Sequence, residues 1–206
     1  EGVKAALGGL PSAQICLYRV NFAELEKLQH QGKWDETAVI LANAAKSVEV
    51  GGADFLLICT NTMHKVAAEI EAEISIPILH IADATANRLL ADGVKKVGLL
   101  GTRFTMEQDF YKGHLLTHYG IEAAIPDDAD RTIVHNVIYD ELCQGIVSPD
   151  SKVRYLDVVG HSLNDGADGI IFGCTEVGLL IGQQDFNVPT FDTTAIHAAA
   201  ALDFAI

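Results

Sequence analysis

The triplet Gly-Ala-Asp occurs twice in this chain, and each time it opens an apolar run that ends in a cysteine. The first copy reads Gly52-Ala53-Asp54-Phe55-Leu56-Leu57-Ile58-Cys59-Thr60, and the second, one residue longer, Gly166-Ala167-Asp168-Gly169-Ile170-Ile171-Phe172-Gly173-Cys174-Thr175. Both predict a helix end, a tight turn, a buried strand and a cysteine at the strand's carboxyl end. The match continues downstream, where Pro77-Ile78-Leu79-His80-Ile81-Ala82-Asp83-Ala84-Thr85 is echoed by Pro189-Thr190-Phe191-Asp192-Thr193-Thr194-Ala195. The two cysteines lie 115 residues apart. A repeat at that separation predicts two similar half-molecules and not a solenoid of short units.

Around the repeat, apolar runs predict strands at Ser12–Val20, Phe55–Thr60, Ile76–Ile81, Val97–Gly101, Ile121–Ile125, Gly169–Phe172 and Val188–Phe191. Helical spacing over Lys33–Val50 places Val39, Leu41, Ala42, Ala45 and Val48 at intervals of three and four. Residues 62–74, 84–92, 105–119, 130–145, 150–165, 176–182 and 193–204 read the same way. Alternating strands and helices imply an α/β fold with parallel sheets covered on both faces and chemistry at the carboxyl ends of the strands. Both cysteines fall on that edge. So does Gly101-Thr102, although a threonine there is more simply a helix cap than a ligand contact.

The 206 residues suffice for one large domain or two small ones, and 49% hydrophobic composition indicates a packed globular protein. A formal charge of −14 excludes a general affinity for nucleic acid or anionic membrane, which requires a basic face. An anionic ligand must then be held by local donors such as helix N-termini. Cysteines at 16, 59, 143 and 174 form no Cys-x-x-Cys pair and follow no secretory segment, which points to a reduced cytoplasmic protein. The chain opens at Glu1 in sequence that reads as the middle or end of a helix, Val3-Lys4-Ala5-Ala6-Leu7, so additional sequence upstream is expected.

Cysteine is among the most buried residue types, and Cys16 and Cys143, within a strand and a helix, are read as structural. Cys59 and Cys174 differ, because each leaves a strand and opens a polar run. A thiol at a helix N-terminus can have its pKa lowered to about 3.5–7.5, giving a base at neutral pH. Thr60, Asn61 and Thr62 follow the first cysteine; Thr175 and Glu176 follow the second. These are the residue types that hold a small zwitterion, and equally those that cap helices. Two thiols in equivalent positions suit inversion at carbon, one removing a proton and the other returning one on the opposite face. His64, one turn past Cys59, is a catalytic candidate or, more simply, a partly buried helix residue. His80, His197, Asp83 and Asp192 are weaker candidates for supporting groups. Gly8-Gly9 and Gly51-Gly52 lack the spacing and lysine of a nucleotide loop, and nothing indicates a nucleotide, PLP or metal cofactor.

The segments Cys59-Thr60-Asn61-Thr62-Met63-His64, Gly173-Cys174-Thr175-Glu176 and Gly101-Thr102-Arg103-Phe104-Thr105-Met106 resemble the aspartate/glutamate racemase family, cofactor-independent enzymes that invert an amino acid's α-carbon. The resemblance covers essentially the whole chain. It implies two pseudo-symmetric α/β domains, each with a mainly parallel sheet flanked by helices, an active site in the cleft between them, and a homodimer. On this chain the domains would be 1–95 plus 189–206, with an N-terminal strand missing, and 96–188. The resemblance makes Cys59 and Cys174 the acid/base pair and places Thr60, Asn61, Thr62, Thr102, Thr105, Thr175 and Glu176 on the substrate. Glutamate after Cys174-Thr175 looks like the aspartate branch, since glutamate racemases tend to carry histidine there. A glutamate, broad-specificity or hydantoin-type racemase, a related isomerase, and a silent amino-acid-binding module remain alternatives.

Overall fold

The computed structural model describes residues 2–206. Its helices are α1 (Gly2–Leu7), α2 (Phe22–His30), α3 (Trp34–Val50), α4 (Ala67–Glu71), α5 (Ile81–Ala91), α6 (Arg103–Glu107), α7 (Asp109–Tyr119), α8 (Asp128–Asn136), α9 (Pro149–Asn164) and α10 (Thr193–Ala205). Its strands are β1 (Lys96–Leu100), β2 (Glu122–Ala124), β3 (Gly169–Phe172) and β4 (Thr190–Asp192). The chain divides into two compact units. One comprises the chain up to Ile58, Met63–His80 and Ala199–Ile206; the other comprises Cys59–Thr62 and Ile81–Ala198.

The second unit holds a four-stranded sheet in the order β2-β1-β3-β4. Every pair is parallel, with Leu99 opposite Ile171 and Ile171 opposite Phe191. The fold is therefore α/β, and all four carboxyl ends lie on one edge of the sheet. Val97, Leu99, Leu100, Ile170, Ile171 and Phe172 are buried, as continuous apolar runs must be when both faces of a sheet are covered. At about 1.5–3 kcal/mol for each large apolar side chain removed from water, these two strands anchor the unit. Tyr111 and Tyr155 complete its core, and the Tyr155 hydroxyl donates to the Val134 carbonyl at 2.8 Å, so the buried phenol is satisfied.

The first unit packs Leu25 of α2 and Ala38, Ala45 and Val48 of α3 with Leu56, Ile58, Met63, Val66 and Ile70. Here the predicted strands shorten. Phe55–Thr60 and Ile76–Ile81 meet at a single parallel bridge, Leu56 with Ile78, made by Leu56 N–H to Pro77 O and Leu79 N–H to Leu56 O, both 2.9 Å. Pro77 accepts but has no N–H to donate, which limits the ladder. Ser12–Val20 forms no strand. Ile15 and Leu17 are 80% and 79% exposed, and no described segment pairs with theirs. Alternation reports the faces of a strand but not whether a neighbour exists to take its backbone hydrogen bonds.

Three further expectations change. Residues 176–182 form only a short 3-10 turn, Val177–Leu179, and residues 62–66 are also 3-10 before α4 begins. Residues 130–145 split into α8, a π turn over Val137–Glu141 and a 3-10 turn over Leu142–Gln144. Helix α2 was not anticipated; its N-cap, Asn21, accepts from the Ala23 N–H at 3.2 Å.

Candidate active site

Strand β1 delivers Gly101-Thr102 and β3 delivers Gly173-Cys174 to the same sheet edge, and glycine is required at both turns by close packing. A Cβ on Gly101 would lie 2.9 Å from the Gly173 carbonyl oxygen, and one on Gly173 would lie 3.0 Å from that of Leu100. The Gly173 N–H donates to Leu100 O at 2.6 Å, so the two turns are fastened backbone to backbone.

The Cys59–Thr62 segment is held to this edge through side chains. Thr62 Oγ1 lies 3.2 Å from both Thr102 Oγ1 and Thr105 Oγ1, and those two lie 3.3 Å apart. All three threonines are buried. The three hydroxyls form a ring in which each can donate once and accept once. Thr102 also caps α6, accepting from Thr105 N–H, so capping and membership of the cluster coexist.

Asn61 is 2% exposed, and its Nδ2 donates to Thr193 Oγ1 at 2.9 Å. Thr193 in turn donates to the Phe172 carbonyl at 2.8 Å. Because the threonine's one proton is spent on that carbonyl, its oxygen can only accept, which fixes the amide orientation. Asn61 Oδ1 is left buried with no hydrogen-bond partner among the described residues. An unpaired buried acceptor costs about 1–3 kcal/mol, a penalty that a bound donor would relieve. Thr193 carried no assigned role in the sequence; its signal was its place directly after β4 in the downstream half of the repeat.

At the other cysteine, Cys174 Sγ donates to Glu176 Oε2 at 3.0 Å and Thr175 Oγ1 donates to the same oxygen at 2.6 Å. Burial and the Glu176 carboxylate together push the Cys174 thiol well above its ordinary value. Partial desolvation raises Cys59, which is otherwise the more exposed of the two. This reverses the expectation of lowered thiol pKa values. Neither cysteine opens an α-helix: a 3-10 segment separates Cys59 from α4, and only a three-residue turn follows Glu176. The dipole effect of a helix N-terminus is confined to its first turn.

Thr60 is half-buried. His64 is buried in its 3-10 turn with its ring edge-on to His80, centroids 4.4 Å apart, as the simpler reading of a packed residue anticipated. Asp192 caps α10 by accepting from the Thr194 N–H at 2.9 Å, Asp83 contacts His114 Nε2 at 2.5 Å, and His197 is buried. Cys143 is half-buried; burial and the nearby Glu176 charge push its thiol up to about 11, in keeping with a structural role. No helix among the described residues is long and apolar enough to cross a membrane.

Comparison with known proteins places these residues in a family. The chain is 55% identical to a protein from Yersinia pestis that carries a provisional Asp/Glu racemase name; the crystal structure superposes with a TM-score of 0.91, covering 99% of this chain and 89% of that one. An aspartate racemase homologue from Pyrococcus horikoshii OT3 is 35% identical with a TM-score of 0.78, over 91% of this chain and 81% of its own. The broad specificity amino-acid racemase RacX of Bacillus subtilis (strain 168) is 25% identical over 82% of this chain and 72% of its own length. The Asp/Glu/Hydantoin racemase family model matches residues 1–201. With the match spanning nearly every residue, the chain belongs to the Asp/Glu/Hydantoin racemase family, enzymes of the isomerase class.

Proposed function

We propose that this protein is a PLP-independent racemase that interconverts L- and D-aspartate by two-base proton transfer between Cys59 and Cys174. The observation that carries the reading is the polar cluster that joins the Cys59 segment to the edge where Cys174 also lies: the hydroxyl ring of Thr62, Thr102 and Thr105, and the neighbouring Asn61 with its buried, unsatisfied oxygen. A zwitterion needs donors for its carboxylate and acceptors for its ammonium. The ring hydroxyls, turned out of the ring toward an arriving carboxylate, and Thr60 serve the first need, while Thr175, whose one proton is spent on Glu176 Oε2, holds that carboxylate in place. Asn61 Oδ1 and Glu176 serve the second; both thiol-side bonds fall on Glu176 Oε2, which leaves Oε1 for the ammonium.

Proton abstraction from Cα demands a strong base, and a thiolate whose pKa is raised is a stronger base when formed, though less abundant. Holding the ammonium protonated lowers the acidity gap from the other side. Reversing the direction of reaction exchanges the protonation states of the two sulfurs and nothing else. The working form in this reading is a cytoplasmic homodimer.

Aspartate is favoured by Glu176 and by the likeness to an aspartate racemase homologue. Relatedness to a broad specificity amino-acid racemase supports a second reading, a wider set of amino-acid substrates. Chiral chromatography over an amino-acid panel separates the two. The mechanism is tested by Cys59→Ser and Cys174→Ser, each of which sharply lowers the rate of D/L interconversion; full activity in either variant defeats it. Binding of aspartate without exchange of its α-proton in D₂O would instead indicate a silent binding protein.

A further inference from the structure

We propose that Glu176 is a positioning residue that keeps the proton on Cys174, so that the resting site holds Cys174 as the acid and leaves Cys59 to become the base. The proposal rests on the two-thiol reading above and assigns the starting polarity of the pair. An ionised carboxylate only accepts hydrogen bonds, so the 3.0 Å contact from Cys174 Sγ to Glu176 Oε2 exists only while the sulfur carries its proton. Losing that proton would set a thiolate against a carboxylate, two like charges in contact. Thr175 fixes the carboxylate in place, its hydroxyl donating to the same oxygen at 2.6 Å. The Cys59 end has no such arrangement in its sequence: Thr60, Asn61 and Thr62 follow it, and none is acidic.

The other groups that act on Cys174 do not compete with Glu176. Cys143, in the 3-10 turn over Leu142–Gln144, and Tyr155, on α9, are both held up in pKa by burial and stay neutral near pH 7. Glu141 and Arg154, whose charges reach Tyr155, pair with each other at 3.3 Å. Burial comes first in holding the proton on Cys174, and the Glu176 carboxylate is the charge that adds to it, outweighing the opposing hydrogen bond from the Glu176 backbone.

The test is the rate of iodoacetamide alkylation at each cysteine against pH, without substrate, resolved by peptide mass spectrometry. Glu176→Gln keeps the shape and removes the charge. The Cys174 profile is expected to move to lower pH by at least about one unit, which is roughly tenfold faster labelling on the slope, while Cys59 is unchanged. Glu176→Asp, which keeps the charge, should retain slow labelling. A Cys174 profile in Glu176→Gln that superimposes on the wild type overturns the proposal. So does Glu176→Asp labelling as fast as Glu176→Gln, or an equal rise at every cysteine, which would show loosened packing. Because labelling requires no turnover, its result is independent of whether the Cys→Ser variants bear out racemisation.

Discussion

The two copies of the Gly-Ala-Asp repeat make the same turn and then diverge. In the first, α3 ends and Gly52 turns the chain with φ +88°, the Ala53 N–H reaching back to Val48 O at 3.4 Å. In the second, α9 ends, Gly166 turns with φ +86°, and the Ala167 N–H reaches Ser162 O at 3.3 Å. Both are the helix stop in which a left-handed glycine lets the chain reverse. Beyond that point β3 is buried at every residue and laddered on both sides, by β1 and β4. Its counterpart makes one bridge. Local signals set the turn; neighbours decide whether a strand follows.

The cysteines at the two ends inherit the difference. Cys174 is fastened by a carboxylate and follows Gly173, whose N–H is bonded to Leu100 O, whereas Cys59 is exposed and its segment is held by Asn61 and Thr62. If the pair nonetheless works as equals, Cys59→Ser and Cys174→Ser each lower kcat for aspartate racemisation by ~10²–10⁴, the usual share of a general acid or base. A loss confined to one variant would break the symmetry that the repeat implies.

Stability should show the asymmetry directly. Ile171, fully buried in β3, is expected to cost about 2–5 kcal/mol when cut to alanine, against total stabilities of about 5–15 kcal/mol. The equivalent Leu57, only half-buried, should cost about 1 kcal/mol or less. Urea unfolding compares them, and equal losses would mean that the two strands are equally well supported. Gly173→Ala, whose Cβ would lie 2.8 Å from the Leu99 Cδ1 methyl and 3.0 Å from Leu100 O, should cost about 1–3 kcal/mol. It should also slow turnover by displacing Cys174. Gly52→Ala and Gly166→Ala meet open space or only a lysine tip, so each pays mainly for positive φ, about 1 kcal/mol in both copies alike.

The smallest expected effect concerns the helices that lead into the copies. His161 on α9 has its pKa raised by the Asp130 carboxylate 2.6 Å away, while α3 contains no histidine. With the folded value above the unfolded one, the pair stabilises fully below about pH 6.5, and that contribution fades as pH rises through the folded value. A slight fall in Tm across this window, flattened in His161→Gln, is the expected result. An unaltered slope in the variant would remove the pair from account.

The chain order alone determined the α/β class, the four strands of the sheet, the two glycine turns and the two cysteines at run ends, because propensity, periodicity and punctuation are properties of short windows. It also marked Thr102 and Asn61 as polar residues at such ends, while Thr105 entered only through the family resemblance. Only the tertiary structure decided that Ser12–Val20 has no ladder, that Cys59–Thr62 clusters with the β1–β3 edge, and that both thiol pKa values rise. Those outcomes depend on partners distant in sequence: Asn61 on Thr193, 132 residues away, and Thr62 on Thr102, 40 away. A pKa or a ladder is a property of what surrounds a group, and no window of the chain around Cys59 or Cys174 contains those surroundings.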